Sequence, residues 1–172
     1  YLNIGLVYSE LKNFNKSLKY LIKAVEIDPN DYRTYLNIAL IKSEMNKYEE
    51  ALDEINKSIK FNKNNLNAYL LRGNFYKELK QFKLSMSDFD KVIQESRNDQ
   101  KIHYEALYNK SLLKLLCGEL KEGWELYENR LYIDQHKKFE NFKKEKVFSK
   151  IPTKNIPFPQ KVTELKNSEL LI

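Results

Sequence analysis

Asn3, Asn37 and Asn109 recur in one local context, LNIGL, LNIAL and YNKSL. An asparagine amide carries one acceptor and two donors. It can therefore pair with both the C=O and the N–H of an extended peptide backbone without reading side chains. The neighbouring positions keep step. Leu2, Leu36, Leu70 and Tyr108 form one column, and Asn3, Asn37, Leu71 and Asn109 a second. Leu6, Leu40, Asn74 and Leu112 form a third. The candidate binding residues are thus Asn3, Asn37, Asn74, Asn109, Leu2, Leu36, Leu70 and Tyr108. The partner they suit is a protein or peptide in extended conformation. Leu71 interrupts the amide series at its third rung. The plain alternative is that an Asn-rich, Lys-rich chain carries asparagines in any case.

Other chemistry lacks its residues. Neither His103 nor His136 is followed by a histidine or cysteine three or four residues on, as a helical metal site would want. Cys117 is the single cysteine, which excludes an internal disulfide framework and a multi-cysteine zinc site. It occupies the slot of Leu11, Met45 and Leu79, predicted to be a core slot. There is no glycine-rich phosphate loop. No cofactor is expected, and this chain by itself is not expected to be an enzyme.

The elements that must position the asparagines follow from self-similarity. YLNIGLVY begins at Tyr1, YLNIALIK at Tyr35 and YLLRGNFY at Tyr69, each 34 residues after the last. Phe14, Tyr48 and Phe82 align, as do Ser17, Ala51 and Ser85, then Leu21, Ile55 and Phe89, then Val25, Ile59 and Ile93. A four-residue insertion within SRNDQKIHY brings GELKEGWELYENRL into line as a fourth copy. Leu120 then replaces Phe82, Gly123 replaces Ser85, Trp124 follows Met86, and Gly118 falls in the turn, where a positive φ is useful. Only 4 glycines and 4 prolines in 172 residues suit an all-helical chain. First helices are predicted at about 1–12, 32–45, 66–79 and 100–117, second helices at about 15–27, 48–60, 82–96 and 120–132. Asp28-Pro29-Asn30-Asp31 reads as a turn ending in a helix cap.

A period of 34 residues with small residues at Gly5, Ala39 and Gly73, aromatics at Tyr8 and Tyr76, and Pro29 closing the first unit resembles the tetratricopeptide repeat. Lys42, Lys63 and Arg97 depart from that pattern. The resemblance implies an α-solenoid of four helix-turn-helix repeats, at about 1–31, 32–65, 66–99 and 100–133, whose first helices line a concave groove. The asparagine column resembles the ladder in the repeat region of O-linked N-acetylglucosamine transferases. The carboxylate-clamp form of the family wants lysine where Leu2 stands and asparagine where Leu6 stands.

The last repeat carries a second resemblance. Gly118-Glu119-Leu120, Glu122-Gly123-Trp124, Tyr127-Glu128 and Arg130 look like the closing repeat of bacterial proteins fused to a glycosyltransferase-like domain. Asn129 and Leu131 depart from it, standing where that family favours tryptophan. This resemblance implies a glycosyltransferase domain in cis beyond Ile172, with 151–172 as a proline-containing linker and the start of its first strand. Tyr1 stands at the fourth position of a repeat and Ile172 ends an apolar ELLI, so both ends read as cut. Residues 134–150 form a basic segment, predicted as a helical cap that lays Phe139, Phe142, Val147 and Phe148 over Trp124. Residues 134–172 hold a net +4 of the chain's +6. The interleaved HKKFENFKKEK reads as a solvated face rather than a nucleic-acid site. No apolar run is long enough to span a membrane. The expected location is the cytoplasm.

Overall fold

The computed structural model describes residues 1–96 and 99–132. The capping segment 134–150 with Phe139, Phe142, Val147 and Phe148, the linker 151–172, and His136 lie outside the described residues. The described chain is all-α, an α-solenoid of four helical hairpins. The first helices are α1 (Leu2–Glu10), α3 (Tyr32–Glu44), α5 (Leu66–Glu78) and α7 (Gln100–Leu116). The second helices are α2 (Phe14–Ile27), α4 (Tyr48–Phe61), α6 (Phe82–Glu95) and α8 (Leu120–Tyr127).

Several helix ends have a local cause. Asp31 accepts the amide of Arg33 at 3.2 Å, and Asp99 accepts that of Ile102 at 3.3 Å, so both cap the first turn of a first helix. Asp28 and Asn62, 34 residues apart, turn the chain in the same way. Each side chain accepts the amide two residues on, at 3.1 Å. Within every hairpin the turn passes through a left-handed residue: Lys12 at φ 57°, Asn46 at 59°, Lys80 at 59° and Gly118 at 82°. Gly118 is the only one of the four without a Cβ to strain. The four inserted residues add one turn to α7, which has 17 residues against 13 in α3 and α5. Helix α8 stops at Tyr127, short of the predicted end at 132. There the Asn129 amide group donates to the Leu126 carbonyl at 2.7 Å and competes with the helical ladder.

Hairpins close on paired small residues twelve positions apart: Gly5 with Ser17, Ala39 with Ala51, Gly73 with Ser85, and Ser111 with Gly123. All eight are buried. Ser17 and Ser85 use the close approach to donate to the carbonyls of Gly5 and Gly73, at 2.6 and 2.7 Å. A Cβ on Gly73 would lie 2.6 Å from the Phe89 ring, and one on Gly123 would lie 2.7 Å from the Leu115 side chain. Thus the two glycines of GELKEGW serve a left-handed turn and a helix contact.

Successive hairpins join through α2 on α3, α4 on α5 and α6 on α7. Leu21, Ile38 and Ile41 form one apolar cluster at the first of these joints. A longer one runs from Ala39 and Ile55 through Phe75 and Phe89 to Leu113. In addition α1 touches α3 and α5 touches α7, whereas no pair of second helices meets to that degree. First helices crowding on one side is the geometry of a stack curved toward them.

Candidate functional site

The predicted binding residues lie on the first helices α1, α3, α5 and α7. Positions that recur at three, four and seven residues share a helical face. Leu6, Leu40, Asn74 and Leu112 hold one register on these helices, with the leucine and asparagine columns four and three positions before it. Asn3 is exposed, and Asn37, Asn74, Asn109, Leu2, Leu36 and Tyr108 are half-buried. Leu70 departs from the expectation. It is only 6% exposed and belongs to the core cluster that also holds Ile102 of the additional α7 turn. Because α5 packs directly on α7, that position is drawn into the core.

The amides are in different states. Asn37 Nδ2 donates to the Arg33 carbonyl of its own helix at 2.8 Å, leaving its oxygen and one N–H uncommitted there. Asn74 Oδ1 is buried with no hydrogen-bond partner. A buried acceptor without a donor costs free energy, so such a group is rarely left idle. The Tyr108 ring lies 5.6 Å from Tyr127, which ties α7 to α8.

Charge pairs that the periodicity hides join the two helices of single hairpins. Arg72 takes a register shared with Ile38, and its guanidinium donates through Nε and Nη2 to both oxygens of Asp88, at 2.8 and 2.7 Å. Nη1 reaches Asn56 Oδ1 at 2.9 Å, while the rings of Tyr69 and Tyr76 lie 5.2 and 5.7 Å from the guanidinium carbon. Lys42, the departure from the aromatic pattern, is compensated by Glu54 at 3.0 Å and Glu50 at 3.5 Å. Sequence spacing gave no hint of these pairs, since each partner is unusual only in its own repeat. At the last turn Lys114 bridges Glu119 and Glu122, and the hydrogen bonds it donates to both carboxylates hold its ammonium above the usual lysine range.

Cys117 corrects an expectation. It is exposed, because the slot lies at the C-terminal cap of each first helix rather than along its packed face. Leu11 in the same slot is 69% exposed, and only Met45 and Leu79 are half-buried. His103 sits in the first turn of α7, its Nδ1 3.2 Å from Ser96 Oγ. Among the described residues no three His, Cys, Asp or Glu side chains gather to hold a metal ion. Nor is any helix among them long and apolar enough to cross a membrane.

Comparison with known proteins agrees with this geometry. Family models of the tetratricopeptide repeat match residues 1–31, 20–53 and 66–99. The chain is similar in fold to a crystal structure of MamA, with a TM-score of 0.68 at 18% identity over 79% of this chain and 77% of that one. It is also similar to PilF of Pseudomonas aeruginosa, with a TM-score of 0.70 at 20% identity over 78% and 60% of the two chains. The first repeat domain of Spaghetti (RPAP3), bound to the HSP90 peptide SRMEEVD, gives a TM-score of 0.62 at 18% identity over 68% and 90%. No curated protein sequence matches. The hairpin α7–α8 lies beyond the matched segments but repeats their helix order, small-residue pair and left-handed turn. The chain belongs to the tetratricopeptide repeat family and is a scaffold for protein interaction.

Proposed function

We propose that the concave face of the first helices binds an extended segment of a partner protein, with the asparagines holding its backbone. The observation that supports this is the row of half-buried leucine, asparagine and tyrosine side chains along one face of α1, α3, α5 and α7. The Asn37 amide keeps its oxygen and one N–H uncommitted. An amide column suits a backbone, whose C=O and N–H recur whatever the side chains. The test is a displayed library of random peptides panned against the chain, with recovered peptides measured on an Asn37→Ala, Asn109→Ala double variant. Each neutral hydrogen bond lost should cost about 0.5–1.5 kcal/mol. Equal affinity for wild type and double variant, with folding intact by circular dichroism, sinks the ladder.

A second reading makes this chain the acceptor-binding region of a repeat-linked glycosyltransferase. It is favoured by the closing repeat, where Gly118 at φ 82° and the tightly packed Gly123 both occupy positions the resembled signature reserves for glycine. The sequence beyond Ile172 in the full-length protein decides it: a glycine-rich turn and then a helix are expected. Their absence removes this reading and leaves the first untouched.

A further inference from the structure

The charges around the groove point to the kind of segment it accepts, on the reading that the groove is the binding face. The same helical register that aligns Leu6, Leu40, Asn74 and Leu112 brings charged residues onto this face at both ends of the first helices. Four positions on stand Glu10, Glu44 and Glu78, at 34-residue intervals and all exposed. Seven positions back stand Arg33 and Glu105, and three on stands Lys77. That is four carboxylates against two cations. Lys12, paired with Glu44 at 3.3 Å, and Asp31, paired with Arg33 at 2.8 Å, leave the acidic excess at two. Between these rows the face is leucine, asparagine and tyrosine, with no ammonium or guanidinium group in the three central columns.

We propose that the groove selects extended segments with apolar side chains flanked by lysine or arginine, and rejects acidic ones. The leucine columns supply contact for apolar side chains, and the acidic excess supplies the charge, with Glu44 and Glu78 shared with Lys12 and Lys77 at 3.3 and 3.4 Å. Exposed charges within about 10 Å of each other interact at ordinary salt, so the preference is graded rather than absolute.

The library selection tests this by composition, with the peptide SRMEEVD as an acidic probe. Recovered peptides should be enriched in Leu, Ile, Val, Phe, Lys and Arg and depleted in Asp and Glu, and SRMEEVD should bind more weakly than any of them. A Glu10→Gln, Glu44→Gln, Glu78→Gln variant should lose about three- to tenfold in affinity for the basic peptides. These positions are exposed, so unchanged circular dichroism is expected. Enrichment of acidic peptides, or identical affinities for the variant and wild type, overturns the charge selection while leaving the groove in place. Failure to recover any peptide overturns both.

Discussion

Gly73 and Phe89 set the distance between α5 and α6. A methyl on Gly73 would meet the Phe89 ring at 2.6 Å, and that ring is wholly buried. Alanine gains about 1 kcal/mol of helix propensity over glycine, but overpacking a tight core costs about 1–3 kcal/mol. We therefore predict that Gly73→Ala lowers stability, by up to about 2 kcal/mol, read as a shift in the urea midpoint. An unchanged or higher midpoint would show that the hairpin can open at no cost. Arg72 and Asp88 allow a sharper comparison, because the Asp88 side chain is only 7% exposed and that of Arg72 20%. Removing one partner of a buried pair costs about 3–5 kcal/mol, whereas replacing both by apolar groups is often neutral. Asp88→Ala is predicted to fall toward the lower end of that range, since Arg72 retains some solvent and Asn56. The double variant Arg72→Met, Asp88→Leu is predicted to recover most of the loss. If the double variant is as unstable as the single, the pair contributes through geometry rather than charge compensation.

At the scale of the element, α3 depends on Asp31. Its carboxylate accepts the Arg33 amide, the Arg33 side chain at 2.8 Å and the Thr34 hydroxyl at 3.0 Å. Burial pushes the carboxyl up, but these hydrogen bonds outweigh it and hold Asp31 below the usual carboxylate range. A depressed carboxylate contributes stability that is present above its unfolded value of about 3.9 and is lost as pH falls through the folded one. Asp31→Ala should therefore cost about 0.5–2 kcal/mol at neutral pH and progressively less as the medium is taken below about pH 4. Urea titrations at the two acidities check this, and a cost independent of pH would assign the effect to packing alone. The additional turn of α7 belongs to the same scale. It leaves the length of the inter-repeat connection unchanged and places Ile102 in the core. A first helix can therefore be lengthened without disturbing the stack.

Across the whole molecule, each hairpin leans only on its neighbours, so stability is close to a sum of local terms. The described ends have least to lean on. The single buried residue of α1 is Gly5, and that of α8 is Gly123. Trp124 in α8 is 57% exposed, whereas Leu18, Leu52 and Met86 in the same register pack against the core. Amide hydrogen exchange should therefore be slowest in α3–α6 and fastest in α1 and α8. Uniform protection along the four hairpins would mean that the solenoid opens as one cooperative unit.

The 34-residue period, the small-residue slots and the turn at Asp28–Asp31 were all legible in the residues, because each is a local requirement repeated at a constant interval. Periodicity averages over repeats and so finds what they share: the number of hairpins and most helix limits to within a few residues. It is blind to what one repeat does alone. The bond between Arg72 and Asp88, the compensation of Lys42 by Glu54, the exposure of Cys117 and the withdrawal of Leu70 into the core were decided by tertiary structure. So was the state of the amides, with Asn37 turned back on its own helix and the Asn74 oxygen buried without a donor. The physical reason is range. Helix propensity, caps and turns act within a few residues of chain, whereas a charge is compensated, and a side chain covered, by whichever group the stacking of hairpins brings within a few ångströms.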